Sequence, residues 1–450
     1  MTQPLSKTAH ARALLGLGLP LIGSHLAQML LHVSDTVMLG WYGVAELAAV
    51  VIGSSAFFIV FILGAGFGQA VMPMVAQAVG TGDETRVRRD ARMGLWLSIG
   101  YGVICYPLFW WSEPILLFVG QKPAVAALAC DFLWIAGLGM VPALLVMVLK
   151  SYLAALGRTQ VVLWMTLAAV GVNILICWAL IFGNWGMPEL GVRGAAIASV
   201  AVQALTFVGL AIYAAWLPEL RHFRLFQRFW RPDWHALGQV FRLGMPIGLT
   251  SVAEGGMFQA SALMMGWIGT AELAAHGIAL QAVALTFMVH LGVSNATTVL
   301  AGRAQGAGQI ADLRRVGKVA IAMSLGFGLA MVALFLAMPA QIVALFLDAT
   351  KPESSAIIAF GTKLLAVAAV FQIADAMQVM ALGLLRGVQD TKVPMILAAI
   401  SYWGIGIPAS YVLAFVLGYG GVGLWFGLVI GLTVAASLLM VRFWRRAPQR

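Results

Sequence analysis

GWYGVAELAA, Gly40 to Ala49, returns as GWIGTAELAA, Gly266 to Ala275, at an offset of 226 residues. At the same offset Leu17-Gly18-Leu19-Pro20 matches Leu243-Gly244-Met245-Pro246. A register kept across a helix and the loop after it marks a duplicated chain. Around the first copy lie apolar stretches at about 12–38, 45–70, 93–111, 124–149, 161–182 and 193–217. Around the second they lie at about 239–266, 273–300, 316–337, 354–385, 393–417 and 421–443. Each has about the 20 residues that cross roughly 30 Å of hydrocarbon. The reading is an all-α polytopic membrane protein with twelve transmembrane helices in two six-helix lobes. An even number of helices per copy sends both halves into the membrane in the same direction, so a pseudo-twofold axis along the membrane normal should relate them. The lobes are expected over 1–218 and 239–450. Between them, 219–238 reads as a cytoplasmic linker, because Arg221, Arg224, Arg231 and Pro232 interrupt the apolar pattern there.

Composition supports the same class. Hydrophobic residues make up 62% of the 450, charged residues 10%, and the mean hydropathy is +0.94. A soluble globular chain carries about 45 to 50% apolar and about 25% charged residues. The net charge of +10 could suggest nucleic acid, but its placement argues for topology. With a cytoplasmic N-terminus, 23 of the 27 basic residues fall on the inner side, leaving Lys122, Arg193, Lys351 and Lys363 opposite. That is the positive-inside asymmetry, and it places both termini in the cytoplasm, with the basic loops against anionic membrane lipids. The first apolar run is long enough to span, so it reads as a first helix rather than a cleaved signal. Cys105, Cys130 and Cys177 all sit in apolar segments, which argues against disulfides or a metal cluster and suggests no role for them.

Against this background three carboxylates stand out: Asp35, Glu254 and Asp375. A charge at a bilayer centre costs roughly 2.5 to 3.5 kcal/mol even on the lenient insertion scale, so such groups face protein or water and usually serve function. His25, Gln28, His32 and Asp35 follow at spacings of 3, 4 and 3, which puts them on one helical face. Their equivalents in the second copy are Ser251, Glu254, Phe258 and Ser261, so the acid moves from the fourth slot to the second. Gln372, Asp375 and Gln378 share roughly one face of the tenth helix. Packed near Glu254, Asp375 would complete a pair of acids whose repulsion and desolvation suit reversible exchange of a proton or Na+. Repeat proteins of this kind place their sites between or within the repeats near midplane, which makes these faces, with Asn173 and Gln281, the expected cavity lining.

Structural readings stand beside these. A membrane carboxylate can simply be a hydrogen-bonding partner, and His25 and His32 can be packing residues. His276 and His290 lack metal-ligand spacing. Gly64 to Gly68 resembles a phosphate loop only superficially, and mid-membrane glycines of this kind allow close helix packing.

Pro20 with Asp35 and Met38-Leu39-Gly40, the run from Gly244-Met245-Pro246 to Glu254, and FQIADAMQVMALGLLRGVQDTKVP from Phe371 to Pro394 together resemble the multidrug and toxic compound extrusion family, most closely its bacterial NorM-like branch. The resemblance covers essentially the whole chain. It implies a monomeric inner-membrane antiporter with a V-shaped central cavity, exporting amphipathic, often cationic drugs against an inward flow of Na+ or H+ and needing no cofactor. Carried over, Glu254 and Asp375 would be the cation-binding acids of the C-terminal lobe, including any Na+ site, and Asp35 the acid of the N-terminal lobe. Where relatives often place Asn or Asp one turn after the position of Asn173, this chain has Cys177, which weakens an N-terminal cation site. Phe371, one turn before Asp375, offers a π face where an oxygen ligand would be needed.

Two other functions compete with this reading. A lipid-linked saccharide flippase would need basic side chains for a pyrophosphate, whereas the intramembrane charges away from helix ends are acidic. A membrane-embedded enzyme would need a nucleophile with a base, or a ligand cluster, at helical spacing, and no such pattern is present.

Overall fold

The repeated GWxGxAEL segment is a helix–turn–helix in both copies. Gly43 and Gly269 cap the second helix of each pair in extended conformation. At each, an added Cβ would collide with the carboxylate three residues on, Glu46 or Glu272. Glycine leaves that acid room to fold back over the positive end of its helix.

The computed structural model describes residues 6–347 and 354–446; Lys351 and Arg450, counted in the charge asymmetry, lie outside them. The long helices are α1 (Lys7–Tyr42), α2 (Val44–Thr81), α3 (Glu84–Trp110), α4 (Pro123–Leu138 and Met140–Ala155, bent by 47°), α5 (Thr159–Phe182) and α6 (Val192–Trp216). They continue as α7 (Trp234–Ile268), α8 (Thr270–Gly306), α9 (Ile310–Ala337), α10 (Ser354–Gly387), α11 (Lys392–Val416) and α12 (Gly420–Arg446). Each coincides with one of the apolar stretches expected from the sequence. Among the described residues, ten are long and apolar enough to cross a bilayer, and the bent α4 makes eleven. The twelfth, α7, is long enough at 35 residues but is made more polar by Arg242, Ser251, Glu254 and Gln259. This is a multi-pass, all-helical membrane protein.

Two compact units divide the chain: Gly23–Gly248, and Met1–Ile22 with Leu249–Arg450. The two breaks fall inside α1 and α7, at positions equivalent in the repeat. The start of α7 therefore packs within the first unit and the start of α1 within the second. Glycine makes this possible. A Cβ on Gly66 of α2 would lie 2.5 Å from the backbone nitrogen of Gly248 and would also strike the Gly244 carbonyl. In the other unit, Gly292 of α8 lies against the backbone of Ile22. Lipid gives helices no hydrophobic drive to associate, so such close backbone approach, with its dispersion contacts, has to supply the attraction.

Within the second unit, Ala275, Ala279 and Ala282 of α8 and Ala368, Ala369 and Ala381 of α10 let large side chains such as Phe371, Trp425 and Leu428 fill the core. Polar bonds lock the packing of α10. Ser294 Oγ donates to the Val379 carbonyl at 2.8 Å and Thr298 Oγ1 to that of Gly383 at 2.9 Å. The Leu-Arg-Gly-x-x-Asp motif ends α10. Its buried Asp390 accepts from Arg442 Nε at 2.7 Å and pairs with Arg446 at 3.1 Å, joining the ends of α10 and α12.

Candidate functional site

In the second unit, Glu254 of α7, Gln378 of α10 and Tyr402 of α11 meet. One amide group bridges the other two: Gln378 Nε2 donates to Glu254 Oε1 at 3.2 Å and to the Tyr402 hydroxyl at 2.5 Å. Tyr402 arrives there through an irregular backbone. Proline at 408 has no N–H to continue an α-helical ladder. Around it α11 is π-helical over Ile400–Gly406, with the Ile407 N–H donating to the Tyr402 carbonyl. Single π turns of this kind often mark functional sites. The next residue, Trp403, donates its indole N–H to the Ala253 carbonyl at 3.0 Å, which docks this segment on α7 beside Glu254.

Asp375 lies one turn before Gln378, only 2% exposed, in electrostatic contact with Glu254 and Tyr402. The expected pair of acids is thus brought together. Asp375 Oδ2 and Gln378 Oε1 are both buried and have no hydrogen-bond partner among the described residues. A buried acceptor left unpaired is costly. Two carboxylates, an amide oxygen and a phenol form an all-oxygen donor set, which a proton or a hard cation can satisfy. Arg386, in the last turn of α10, interacts electrostatically with Glu254 and balances part of its charge.

Aromatic rings flank the acids. Phe371 is fully buried, edge-on to Trp425 with centroids 5.5 Å apart, and 6.1 Å from Phe258. Its π face is therefore spent on core packing. Trp425 Nε1 donates to His276 Nδ1 at 3.0 Å, and His276 Nε2 stands 3.5 Å from Ser261 Oγ. With Nδ1 accepting, the ring hydrogen sits on Nε2.

Other expected lining residues go elsewhere. Gln372 does not share the site of Gln378; its amide donates to Thr286 Oγ1 of α8 at 2.5 Å. Ser261 donates to the Phe258 carbonyl, and Ser251 is half-buried on α7. The side chains of Gln28 and Gln281 make no hydrogen bond among the described residues.

In the first unit, half-buried Asp35 accepts on Oδ1 from Asn173 Nδ2 at 2.5 Å and from Cys177 Sγ at 3.5 Å. Cys177, for which the sequence suggested no role, is a weak donor to the acid. It occupies a position where an oxygen would serve as a cation ligand. Exposed His32 interacts with Asp35 electrostatically from the preceding turn, and His25 with Lys150 of α4. Ser24 and Thr166 hydroxyls, 3.0 Å apart, tie α1 to α5.

Tyr402 and Trp425 escaped the sequence reading, and His276 was considered there only as a metal ligand. Pro408 inside an apolar span was the available signal for an irregular α11. Replacing Tyr402 by Phe should leave one Gln378 N–H without its acceptor and cost about 1 to 3 kcal/mol. The thermal unfolding midpoint of the purified variant should fall accordingly. An unchanged midpoint would mean the bond contributes nothing.

A duplicated helical bundle in the membrane, with one acid held between helices of the first half and two in the second, has the organisation of a membrane transporter. The chain belongs to the MatE family, whose profile matches residues 20–179 and 246–412. It is 47% identical over 436 residues to the "Probable multidrug resistance protein NorM" of Rhizobium meliloti (strain 1021), covering 97% of this chain and 93% of that relative. It is 46% identical over 435 residues to the protein of the same description from Agrobacterium fabrum (strain C58 / ATCC 33970), covering 97% and 94%. The fold is also that of the eukaryotic MATE transporter AtDTX14, with a TM-score of 0.86 at 20% identity over 98% of each chain.

Proposed function

We propose that this protein is a cation-coupled antiporter that exports amphipathic, mainly cationic drugs and toxic compounds from a bacterial cell by alternating access. In this reading it works as a monomer in the inner membrane, with both termini cytoplasmic and lobes over 1–218 and 239–450. Na+ or H+ is exchanged at Glu254 and Asp375, while Asp35 serves the N-terminal lobe. The observation that carries the reading is the acid pair of half-buried Glu254 and buried Asp375 with two buried, unpaired acceptors, Asp375 Oδ2 and Gln378 Oε1. Such a pair holds one positive charge readily, and binding or releasing it changes the electrostatics of the helices that carry it. The multidrug resistance description of the relatives supports the choice of cargo.

Acids among aromatic and aliphatic side chains favour delocalised positive charge on an apolar frame. Inside-out vesicles given sodium and proton gradients separately should therefore accumulate ethidium-like cations under at least one of them. Anionic amphipaths of equal size should be handled poorly. Equal transport of anionic dyes would contradict the acidic-site reading.

A further inference from the structure

We propose that α8, α9 and α10 enclose a water-binding site between His290 and Gln372, and that His290 is, through this water, a positioning residue for α10. His290, Gln372 and Ser324 are completely buried or nearly so. The Gln372 amide donates to Thr286 Oγ1 of α8, and its Oε1 has no partner among the described residues. His290, one turn after Thr286, has Nδ1 2.7 Å from Ser324 Oγ of α9, while its Nε2 is buried and likewise unpaired. The Ser324 hydroxyl makes no other hydrogen bond among the described residues, so it donates to Nδ1 and the ring hydrogen sits on Nε2. One buried donor and one buried acceptor are thus left over where three helices meet.

Helix register brings the two together. Thr286 meets Gln372, Ser294 meets Val379 and Thr298 meets Gly383, so α8 and α10 run parallel and in step. His290 then lies at the level of Ala376, one turn after Gln372. A Cβ added to Gly328 of α9 would sit 3.8 Å from Ala376 Cβ and 3.9 Å from His290 Cε1, with nothing nearer than Ile373 at 3.5 Å, so this junction has room beside the ring. The occupant must accept from an N–H and donate to an amide oxygen. A cation could satisfy only the oxygen and an anion only the N–H, whereas water does both. The first half has no such site. The 226-residue offset runs without a gap through Ser98-Ile99-Gly100-Tyr101-Gly102 and Ser324-Leu325-Gly326-Phe327-Gly328, and it places Val60 and Gly64 where Thr286 and His290 stand. The polar set therefore belongs to the half that carries the acid pair. Gln372 points about 120° away from Gln378 around α10, so the water ties the back of α10 to α8 and α9 and fixes the rotation at which Asp375 meets Glu254.

Solid-state NMR of the full-length protein in lipid bilayers, with its seven histidines labelled with nitrogen-15, tests the water site without any transport assay. The His290 signals are those lost in His290→Gln. They should show a hydrogen on Nε2, none on Nδ1, and magnetisation transfer from water to the Nε2 hydrogen. Gln372→Leu, which removes the acceptor and keeps the ring, should weaken that transfer. A ring hydrogen on Nδ1, or no transfer from water in the wild-type protein, would overturn the site. The positioning role presupposes that Glu254 and Asp375 hold the coupling cation, and it is read separately as sodium bound, or protons released on drug addition, by purified protein. Cation affinity should fall about tenfold in His290→Leu, the worth of one buried hydrogen bond, and less than about twofold in His290→Gln, whose amide N–H can replace Nε2–H. Equal losses in the two variants would overturn the positioning role. Absence of any cation signal from the wild-type protein would overturn the coupling site and that role with it, while the NMR result decides the water site by itself.

Discussion

Glu254→Gln and Asp375→Asn are each expected to bring ion-driven efflux down to that of vesicles lacking the protein, with the double variant no worse than either single one. The reason is geometric. The two acids are in electrostatic contact, and Gln378 bridges Glu254 to the α11 backbone through Tyr402. If they hold one exchangeable cation jointly, removing either charge removes the site, and a second removal has nothing left to take away. Additive losses would instead indicate two independent sites. Asp35→Asn should behave differently. Its carboxylate lies in the other compact unit, with Asn173 and the weak donor Cys177 as hydrogen-bond partners. Transport should fall and the range of drugs change, while cation binding at the second unit persists. The readout is dye accumulation in inside-out vesicles at fixed protein density.

The largest effect on folding is expected from Gly66→Leu. Any Cβ there meets the backbone of Gly244 and Gly248, and backbone cannot swing aside as a side chain can. Overpacking of this kind costs about 1 to 3 kcal/mol or more. The contact also holds the start of α7 within the first unit, so relaxing it would displace a whole helix segment. The purified yield of monodisperse protein should collapse. Gly100→Ala is the matched control, since nothing lies within 4 Å of the added atom, and its yield should equal wild type. Normal folding of Gly66→Leu would show that this approach of α2 and α7 is not required.

Much of this architecture could be read from residues alone, because the physics is one-dimensional. Apolar runs long enough to cross hydrocarbon give the helices, the shared offset of the GWxGxAEL segments gives the duplication, and the cost of a charge in lipid picks out Glu254 and Asp375. What escaped depends on three-dimensional phase. Gln372, Asp375 and Gln378 are three residues apart, yet each such step falls about 60° short of a full turn, so Gln372 and Gln378 diverge by about 120°. They face α8 and α7/α11 respectively. Tyr402 depends on a π register that no periodicity count foresees. The exchange of the starts of α1 and α7 between units rests on backbone contacts at glycines, where the sequence shows only small residues.

The central claim is that the coupling cation binds at Glu254 and Asp375. Direct binding of radiolabelled sodium, together with proton release on drug addition, measured on purified wild-type, Glu254→Gln and Asp35→Asn proteins, tests it most directly. Loss of the cation signal in Glu254→Gln with retention in Asp35→Asn is the predicted result. Normal cation binding in Glu254→Gln, with loss in Asp35→Asn, would contradict it and move the coupling site to the first unit.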